Sequence, residues 1–183
     1  EAFCLLSSRV HEVWSLFFGS TMKDDPVYTS SDCFETFPFP EGLTPNLPAA
    51  SYADDPRAQR IAAGAKLLNE RREAWLNPPE WVKEEVLEFP GSVDGPWKRF
   101  VHAPDARGIG TVRWPRIVAR DAEAAKNLAK RTLTNLYNER PAWLDLAHKK
   151  LDEAVFAAYG WPSDLTDEQI LERLLALNLE RAG

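Results

Sequence analysis

The sequence LTDEQILERLLALNLE, residues 165–180, decides the expected fold because it carries a complete helix start followed by an apolar face. Thr166 and Gln169 have the spacing of a capping box, in which each side chain bonds to the other residue's backbone N–H. Leu165 and Ile170 flank this box as a hydrophobic staple. Leucines at helical spacing follow, so the stretch is predicted to form an amphipathic helix.

Four further helices are predicted from apolar residues that recur three and four positions apart. One occupies residues 2–18 and ends at Gly19. Another has Pro56 in its first turn, where the missing N–H is not needed, and ends near Leu76. The remaining two cover residues 121–138 and a stretch that begins at Pro141 and continues to Tyr159.

Two segments lack a helical period and are predicted to be loops. Residues 20–48 are rich in Ser, Thr, Asp, Pro and aromatic residues, and we expect ordered loop with at most a short strand near Cys33–Phe37. Residues 80–119 are rich in Pro, Gly and Trp and are predicted to form an irregular excursion. The expected fold class is therefore mainly α: a helical bundle-like domain with a long irregular, aromatic-rich loop region and at most short β-strands.

Composition bounds the class of protein. The 183 residues are 44% hydrophobic and carry a net charge of −6, and this acidity disfavours nucleic acid as a partner because phosphate contacts need Lys and Arg. No apolar run approaches the roughly 20 residues that cross a bilayer, and no signal-peptide pattern is present. We therefore expect a cytoplasmic protein with no membrane partner. The chain starts without Met and in the middle of a helical pattern, so we also expect a fragment of a longer protein.

Residue types with catalytic or metal-binding chemistry lack the necessary spacing. Cys4 and Cys33 form neither a disulfide framework nor a zinc set, since no Cys-x-x-Cys or paired His accompanies them. None of the eight lysines follows an acidic residue by two positions, as a common metal-dependent nuclease site requires. The three histidines are scattered, and no Ser or Cys lies in a recognisable nucleophile elbow. We expect no catalytic, cofactor-binding or metal-binding residue in this chain.

The segment Asn77-Pro78-Pro79 resembles three quarters of the Asn-Pro-Pro-aromatic tetrapeptide with which amino-group DNA methyltransferases hold their target base. The fourth residue is Glu80, which offers no ring to stack on a flipped base. A glycine-rich loop for the methyl donor is also missing from the sequence. Because Pro78 disfavours helix at Asn77, we interpret the segment as a helix stop.

A basic, aromatic stretch between residues 97 and 120 is the first candidate for contact with nucleic acid. Trp97-Lys98-Arg99-Phe100 and Arg113-Trp114-Pro115-Arg116 could follow a phosphate backbone with aromatic rings between the cations. The alternative is a solvated surface, which is the usual environment of charged loop residues. The candidate DNA-binding residues here are Lys98, Arg99, Arg113 and Arg116.

The N-terminal segment SSRVHEVWSLFFGSTMKDDPVYTSSDCFETFPFP, residues 7–40, resembles a known family. Its marks are His11-x-x-Trp14 on a helix, Tyr28-Thr29-Ser30, and the ending CFETFPFP from Cys33. Segments of this kind end the target-recognition region of large class I DNA methyltransferases of restriction–modification or phage-defence systems. The tail from Leu133 to Arg181 is similar to the C-terminal helices of the same family.

This resemblance implies that residues 1–48 end a target-recognition region and that residues 49–183 form a helical C-terminal domain. The parent would be an S-adenosylmethionine-dependent DNA (adenine) methyltransferase whose donor and catalytic motifs precede this chain, so the chain alone would be inactive. Its partners would be the upstream methyltransferase domain and, through the parent, DNA. The rival is a helical protein-interaction module that does not contact DNA.

The hydroxyl and ammonium groups of the loop that follows the first helix are donors that phosphates accept. Two acidic residues, Asp24 and Asp25, oppose an anionic partner locally, and an ordinary turn-rich loop is the alternative interpretation. The candidate DNA-binding residues in this loop are Ser20, Thr21, Lys23, Tyr28, Thr29 and Ser31.

Overall fold

The computed structural model describes residues 2–22 and 25–182. The chain forms two compact units, Glu1–Arg72 with Arg140–Gly183, and Glu73–Glu139. We call the first the helical unit and the second the sheet unit. The predicted boundary at residue 48 follows the family resemblance and not compactness, and it stays a prediction.

Six α-helices and five strands make up the regular structure of the described residues. The helices are α1 (Arg9–Phe18), α2 (Pro56–Leu76), α3 (Ala122–Leu128), α4 (Leu133–Glu139), α5 (Ala142–Tyr159) and α6 (Asp167–Ala182), and the strands are β1 (Ser20–Met22), β2 (Asp25–Val27), β3 (Val82–Ser92), β4 (Val101–His102) and β5 (Ile109–Ala119). Short 3-10 helices cover Ala2–Ser7, Ala49–Ser51 and Lys98–Phe100, and one π-helical turn covers Ser30–Phe34.

The capping box that precedes α6 is confirmed. The Thr166 N–H donates to Gln169 Oε1 at 2.9 Å, and the Gln169 N–H donates to Thr166 Oγ1 at 3.3 Å. Leu165 and Ile170 are both buried, as a hydrophobic staple requires. The two predicted bounds of α2, at Pro56 and Leu76, are also confirmed.

The core of the helical unit is built from the apolar faces of its helices and from the aromatic residues of the loop. Gly64 of α2 lies against α5, where an added Cβ would be 3.0 Å from the Leu151 Cα. Glycine therefore allows these two helices to approach closely. Fully or nearly fully buried members of this core are Val10, Trp14, Phe37, Phe39, Ile61, Leu68, Leu144, Leu151, Val155, Ile170 and Leu174.

The prediction of a mainly α fold is wrong. The chain is mixed α/β, about 53% helical and 17% strand, because the predicted irregular excursion 80–119 contains a three-stranded antiparallel sheet. The strand order is β3-β5-β4. Strands β3 and β5 pair along their whole lengths, from Val82 opposite Ala119 to Ser92 opposite Ile109.

The prolines explain why this sheet was missed. Proline cannot donate a ladder hydrogen bond, so its presence argues against a central strand. Pro90 lies on the edge strand β3, where one side of the backbone has no neighbouring strand. Pro115 lies on β5, but β4 pairs only with Thr111 and Val112 of that strand, so Pro115 has a strand neighbour on one side alone. Both prolines are tolerated at these positions.

Three smaller expectations are also corrected. The strand expected near Cys33–Phe37 is absent, and a π-helical turn occupies Ser30–Phe34. The helix expected over residues 2–18 changes at Ser8 from a 3-10 helix to α1. The helix expected over 121–138 is two helices, and α4 starts anew where the Thr132 hydroxyl accepts the Asn135 N–H at 3.1 Å.

Candidate nucleic-acid interface

The β1–β2 hairpin carries the first two predicted contact residues. Ser20 lies opposite Val27 and Thr21 opposite Pro26, and both hydroxyl residues are exposed. Lys23, the cation predicted at the tip, lies outside the described residues. The described part of the hairpin therefore offers hydroxyl groups but no cation to a nucleic acid.

Tyr28 follows the hairpin and is anchored to α1 by a buried histidine. Its hydroxyl lies 3.1 Å from the His11 Nε2, and the other ring nitrogen of His11, Nδ1, has no hydrogen-bond partner among the residues with assigned positions. Burial lowers the pKa of His11 to about 4, so the imidazole is neutral at pH 7. Burial, and then the nearby Cys33, raise the pKa of the Tyr28 hydroxyl, which stays protonated. About half of Tyr28 remains exposed.

The hydroxyl groups of Thr29 and Ser31 are already engaged. Thr29 Oγ1 donates to Asp32 Oδ2 at 2.7 Å, and Ser31 Oγ donates to Asp32 Oδ1 at 3.1 Å. A phosphate that bound to this turn would have to displace the carboxylate, which also repels it. Thr29 and Ser31 are therefore poorly placed to meet an anionic ligand.

The predicted arginines of the sheet unit are paired across the strands. Arg113 donates to Glu88 at 2.8 Å, and Arg116 donates to Glu85 at 2.9 Å. Each pair is directly opposite in the β3–β5 register. Because successive side chains of a strand alternate between faces, Arg113 and Arg116 point to opposite faces of the sheet. The two arginines do not form one basic track.

Lys98 and Arg99 lie on the short helical turn Lys98–Phe100, and both are exposed. Neither makes an ion pair within the part of the chain that the structure describes. The turn is held by an aromatic cluster: Trp97 and Phe100 each contact Trp114, with ring centroids 4.7 and 4.6 Å apart, and Trp97 also contacts Phe89. These two cations are the available positive charges among the predicted residues of the sheet unit.

The segment from Asn77 to Trp81 is a helix stop with its own hydrogen bonds. Asn77 Nδ2 donates back to Glu73 at 3.1 Å, and the Trp81 N–H donates to the Pro78 carbonyl at 2.9 Å. Pro78 is buried. The predicted end of the helix is confirmed, and the Asn77 amide is used within the turn.

Two sets of interactions could not be predicted from the sequence. One is next to the helix stop, and the other holds the FETFPFP segment. Arg131 lies over two indole rings, 4.3 Å from the Trp75 centroid and 5.1 Å from the Trp81 centroid. No local pattern predicts such a pair of cation–π contacts, because the arginine and the rings are far apart in the sequence.

The second group is a set of hydrogen bonds from the C-terminal helices to backbone carbonyls of residues 36–39. Tyr159 Oη donates to the Pro38 carbonyl at 3.0 Å, Arg181 to the Phe39 carbonyl at 2.7 Å, and Asn178 to the Thr36 carbonyl at 3.3 Å. We call these three bonds the carbonyl clamp. Burial raises the pKa of Tyr159, so its hydroxyl remains a donor. The FETFPFP segment and the helices α5 and α6 are thus bonded to each other.

Neither a metal-binding cluster nor a membrane-spanning helix is found in residues 2–22 and 25–182. No group of three His, Cys, Asp or Glu side chains comes together there as a metal-binding set. No α-helix in the same ranges is long and apolar enough to cross a bilayer. Comparison of the chain with known protein families, with curated proteins and with solved structures finds no match.

Proposed function

We propose that this chain is a non-catalytic part of a DNA methyltransferase, in which it supports target recognition and packs against the methyltransferase domain. The observation that carries this proposal is the carbonyl clamp. It bonds the FETFPFP segment to α5 and α6, and these are the segments whose sequences resemble the family. Residues 37–39 of this segment are buried, so the clamp fixes part of a rigid scaffold, and recognition surfaces are usually loops carried on such a scaffold.

In the proposed parent, an S-adenosylmethionine-dependent DNA (adenine) methyltransferase of the cytoplasm, methyl transfer belongs to another domain. The residues of this chain would hold the DNA and orient it for that domain. The hairpin hydroxyls of Ser20 and Thr21, the Tyr28 hydroxyl, and the cations Lys98 and Arg99 are the groups that we expect to contact DNA. Arg113 and Arg116 would contribute less, since each already neutralises a glutamate.

The test is fluorescence anisotropy of the chain with a labelled duplex of about 20 base pairs at two salt concentrations. We expect weak binding at about 50 mM salt and a loss of at least about tenfold at about 200 mM, because counterion release supplies most of the affinity. The double variant Lys98→Glu with Arg99→Glu should abolish this binding. The matched control is Lys126→Glu with Lys130→Glu, which makes the same charge change on exposed residues of the same unit.

An equal loss of DNA affinity in the two double variants would mean that only the net charge of the chain matters. Binding that does not depend on salt would contradict DNA contact by this chain. The absence of binding at low salt would contradict it as well. Titration with S-adenosylmethionine in a calorimeter tests the non-catalytic part of the proposal. Saturable binding of the methyl donor at micromolar concentration would contradict it.

A protein-interaction module is the second candidate, and one observation favours it. Three large apolar side chains at the end of α1 and on β1 are exposed, with relative exposures of 60% for Leu16, 55% for Phe17 and 69% for Met22. Contiguous exposed apolar residues mark interaction surfaces, and Leu16 and Phe17 are adjacent in the sequence. If the chain binds no duplex at low salt and Phe17→Ser prevents its association with the parent's methyltransferase domain, this function is the better one.

A further inference from the structure

A cleft of about 620 Å³ opens in the helical unit between Pro40, the start of α2, the end of α5 and the last turns of α6. Ligand sites have volumes of roughly 300–1,000 Å³, so the cleft is large enough to hold several residues of a peptide. None of the predicted DNA-binding residues lines it.

Three guanidinium groups line this cleft, and two of them are held in place by hydrogen bonds. Arg57 donates to the Asp55 carboxylate at 2.6 Å and to the Glu41 carbonyl at 3.2 Å. Arg181 donates to the Phe39 carbonyl at 2.7 Å. Fixed donors lose little conformational freedom when a ligand binds.

Arg173 is the third guanidinium, and it is available to a ligand. It lies over the Trp161 ring with its Cζ 5.8 Å from the centroid, and Trp161 in turn stacks on Tyr159 with centroids 4.4 Å apart. Its N–H groups donate to no acceptor among the residues that the structure describes. The aromatic wall positions the guanidinium while its donors stay free.

The charge of the cleft favours one carboxylate over a chain of phosphates. Glu41 and Glu180 also line it, so among the lining residues the arginines exceed the glutamates by a single charge. A phosphodiester backbone that ran through the cleft would meet both glutamates, whereas a single carboxylate can pair with Arg173 alone. Leu177 and Trp161 add an apolar surface beside this cation.

We propose that the cleft binds an acidic peptide segment of a protein partner. A Glu or Asp carboxylate of the peptide pairs with the Arg173 fork, whose two parallel N–H groups match a carboxylate. An apolar side chain next to it in the peptide packs on Leu177 and Trp161. This inference does not depend on the DNA contacts proposed above.

The experiment is a titration of the ¹⁵N-labelled chain, followed by NMR through the indole N–H signal of Trp161, which Trp161→Phe identifies by its loss. The probe is the acetylated and amidated pentapeptide Gly-Leu-Glu-Leu-Gly, and the matched probe has Gln in place of Glu. We expect a saturable shift with the first peptide and an affinity at least about tenfold lower with the second, the effect of losing one charge-assisted pair.

Arg173→Gln should lower the affinity for the Glu peptide by about tenfold. Arg173→Lys keeps the charge but not the fork and should give an intermediate affinity. Arg60→Gln is the matched control, because Arg60 is exposed on α2 and does not line the cleft. Melting curves should be unchanged for all three variants.

Three results would overturn the proposal. The Gln peptide could shift the Trp161 signal as strongly as the Glu peptide, which would rule out carboxylate recognition. A single-stranded oligonucleotide could shift it while the Glu peptide does not, with the shift lost in Arg173→Gln, which would make the cleft a phosphate site. The third result is that neither probe shifts the Trp161 signal although the chain is folded.

Discussion

The side-chain bonds within the helical unit and those within the sheet unit join residues at very different separations in the sequence. In the helical unit the carbonyl clamp joins residues 121 and 142 positions apart. In the sheet unit the paired arginines and glutamates are 25 and 31 positions apart. The helical unit therefore depends on segments from both ends of the chain, and each substitution in its core should affect more of the structure.

Trp14→Ala should cost about 4 kcal/mol of unfolding free energy, because Trp14 is fully buried and its Nε1 donates to Thr36 at 3.2 Å. Urea unfolding followed by circular dichroism measures this loss. The matched variant in the sheet unit is Trp97→Ala, whose side chain is 38% exposed and which should cost about half as much. Equal losses would remove the distinction between the two units.

Acid should destabilise the helical unit through His11. Its pKa falls from the ordinary 6.5 to about 4 on burial, so the fold favours the neutral imidazole. The associated stability is complete above pH 6.5 and is lost as pH falls toward 4, by up to about 3 kcal/mol. Chemical unfolding at about pH 7 and about pH 4.5 checks this, with His11→Gln as the control. Parallel losses in the two proteins would exclude His11 as the cause.

Gly110→Ala should cost about 2 kcal/mol in the sheet unit. A methyl group at Gly110 would overlap the His102 carbonyl oxygen and lie 2.9 Å from the Val101 Cγ1, so β4 and β5 would have to separate. Gly95→Ala is the matched control, since its nearest neighbour is the Ser92 carbonyl at 3.3 Å. Thermal unfolding of both variants is the measurement, and an unaffected Gly110→Ala protein would mean that the sheet adapts to the added methyl.

Tyr159→Phe should cost about 1 kcal/mol, because it removes one hydrogen bond of the carbonyl clamp and leaves the Pro38 carbonyl without that donor. The cost of the double variant with Arg181→Gln should differ from the sum of the two single costs, since both bonds hold the same segment. A double-mutant cycle in urea measures this coupling. Strict additivity would show that the Tyr159 and Arg181 bonds act separately.

Asn77→Ala should have the smallest effect, about 0.5 kcal/mol or less, because its amide donates to the exposed side chain of Glu73. In the proposed parent the variant should methylate DNA at a near-normal rate. The checks are a melting curve and a methylation time course. A folded, DNA-binding but inactive variant would show that Asn77 belongs to a base-holding site.

The candidate interface was predicted from residue types, and the structure changes which of those residues are available to contact DNA. Lys98 and Arg99 are exposed, as both the predicted DNA contact and the alternative of a solvated surface require. The engagement of Arg113 and Arg116 could not be predicted, because their partners Glu88 and Glu85 become neighbours only when the two strands pair. For the same reason, the Thr29 and Ser31 hydroxyls could be counted from the sequence, but their bonds to Asp32 could not.

Local sequence signals were enough to predict the starts and ends of α2 and α5 and the start of α6, because caps, proline stops and apolar periods act within one or two helical turns. The sheet within residues 82–119 could not be predicted in this way, since a proline is acceptable in a strand where one side has no neighbouring strand, and that depends on the strand order. Only the tertiary structure decided which donors face the carbonyls of residues 36–39. These carbonyls have no local signal, because every residue has one, and their partners come from helices more than a hundred positions away.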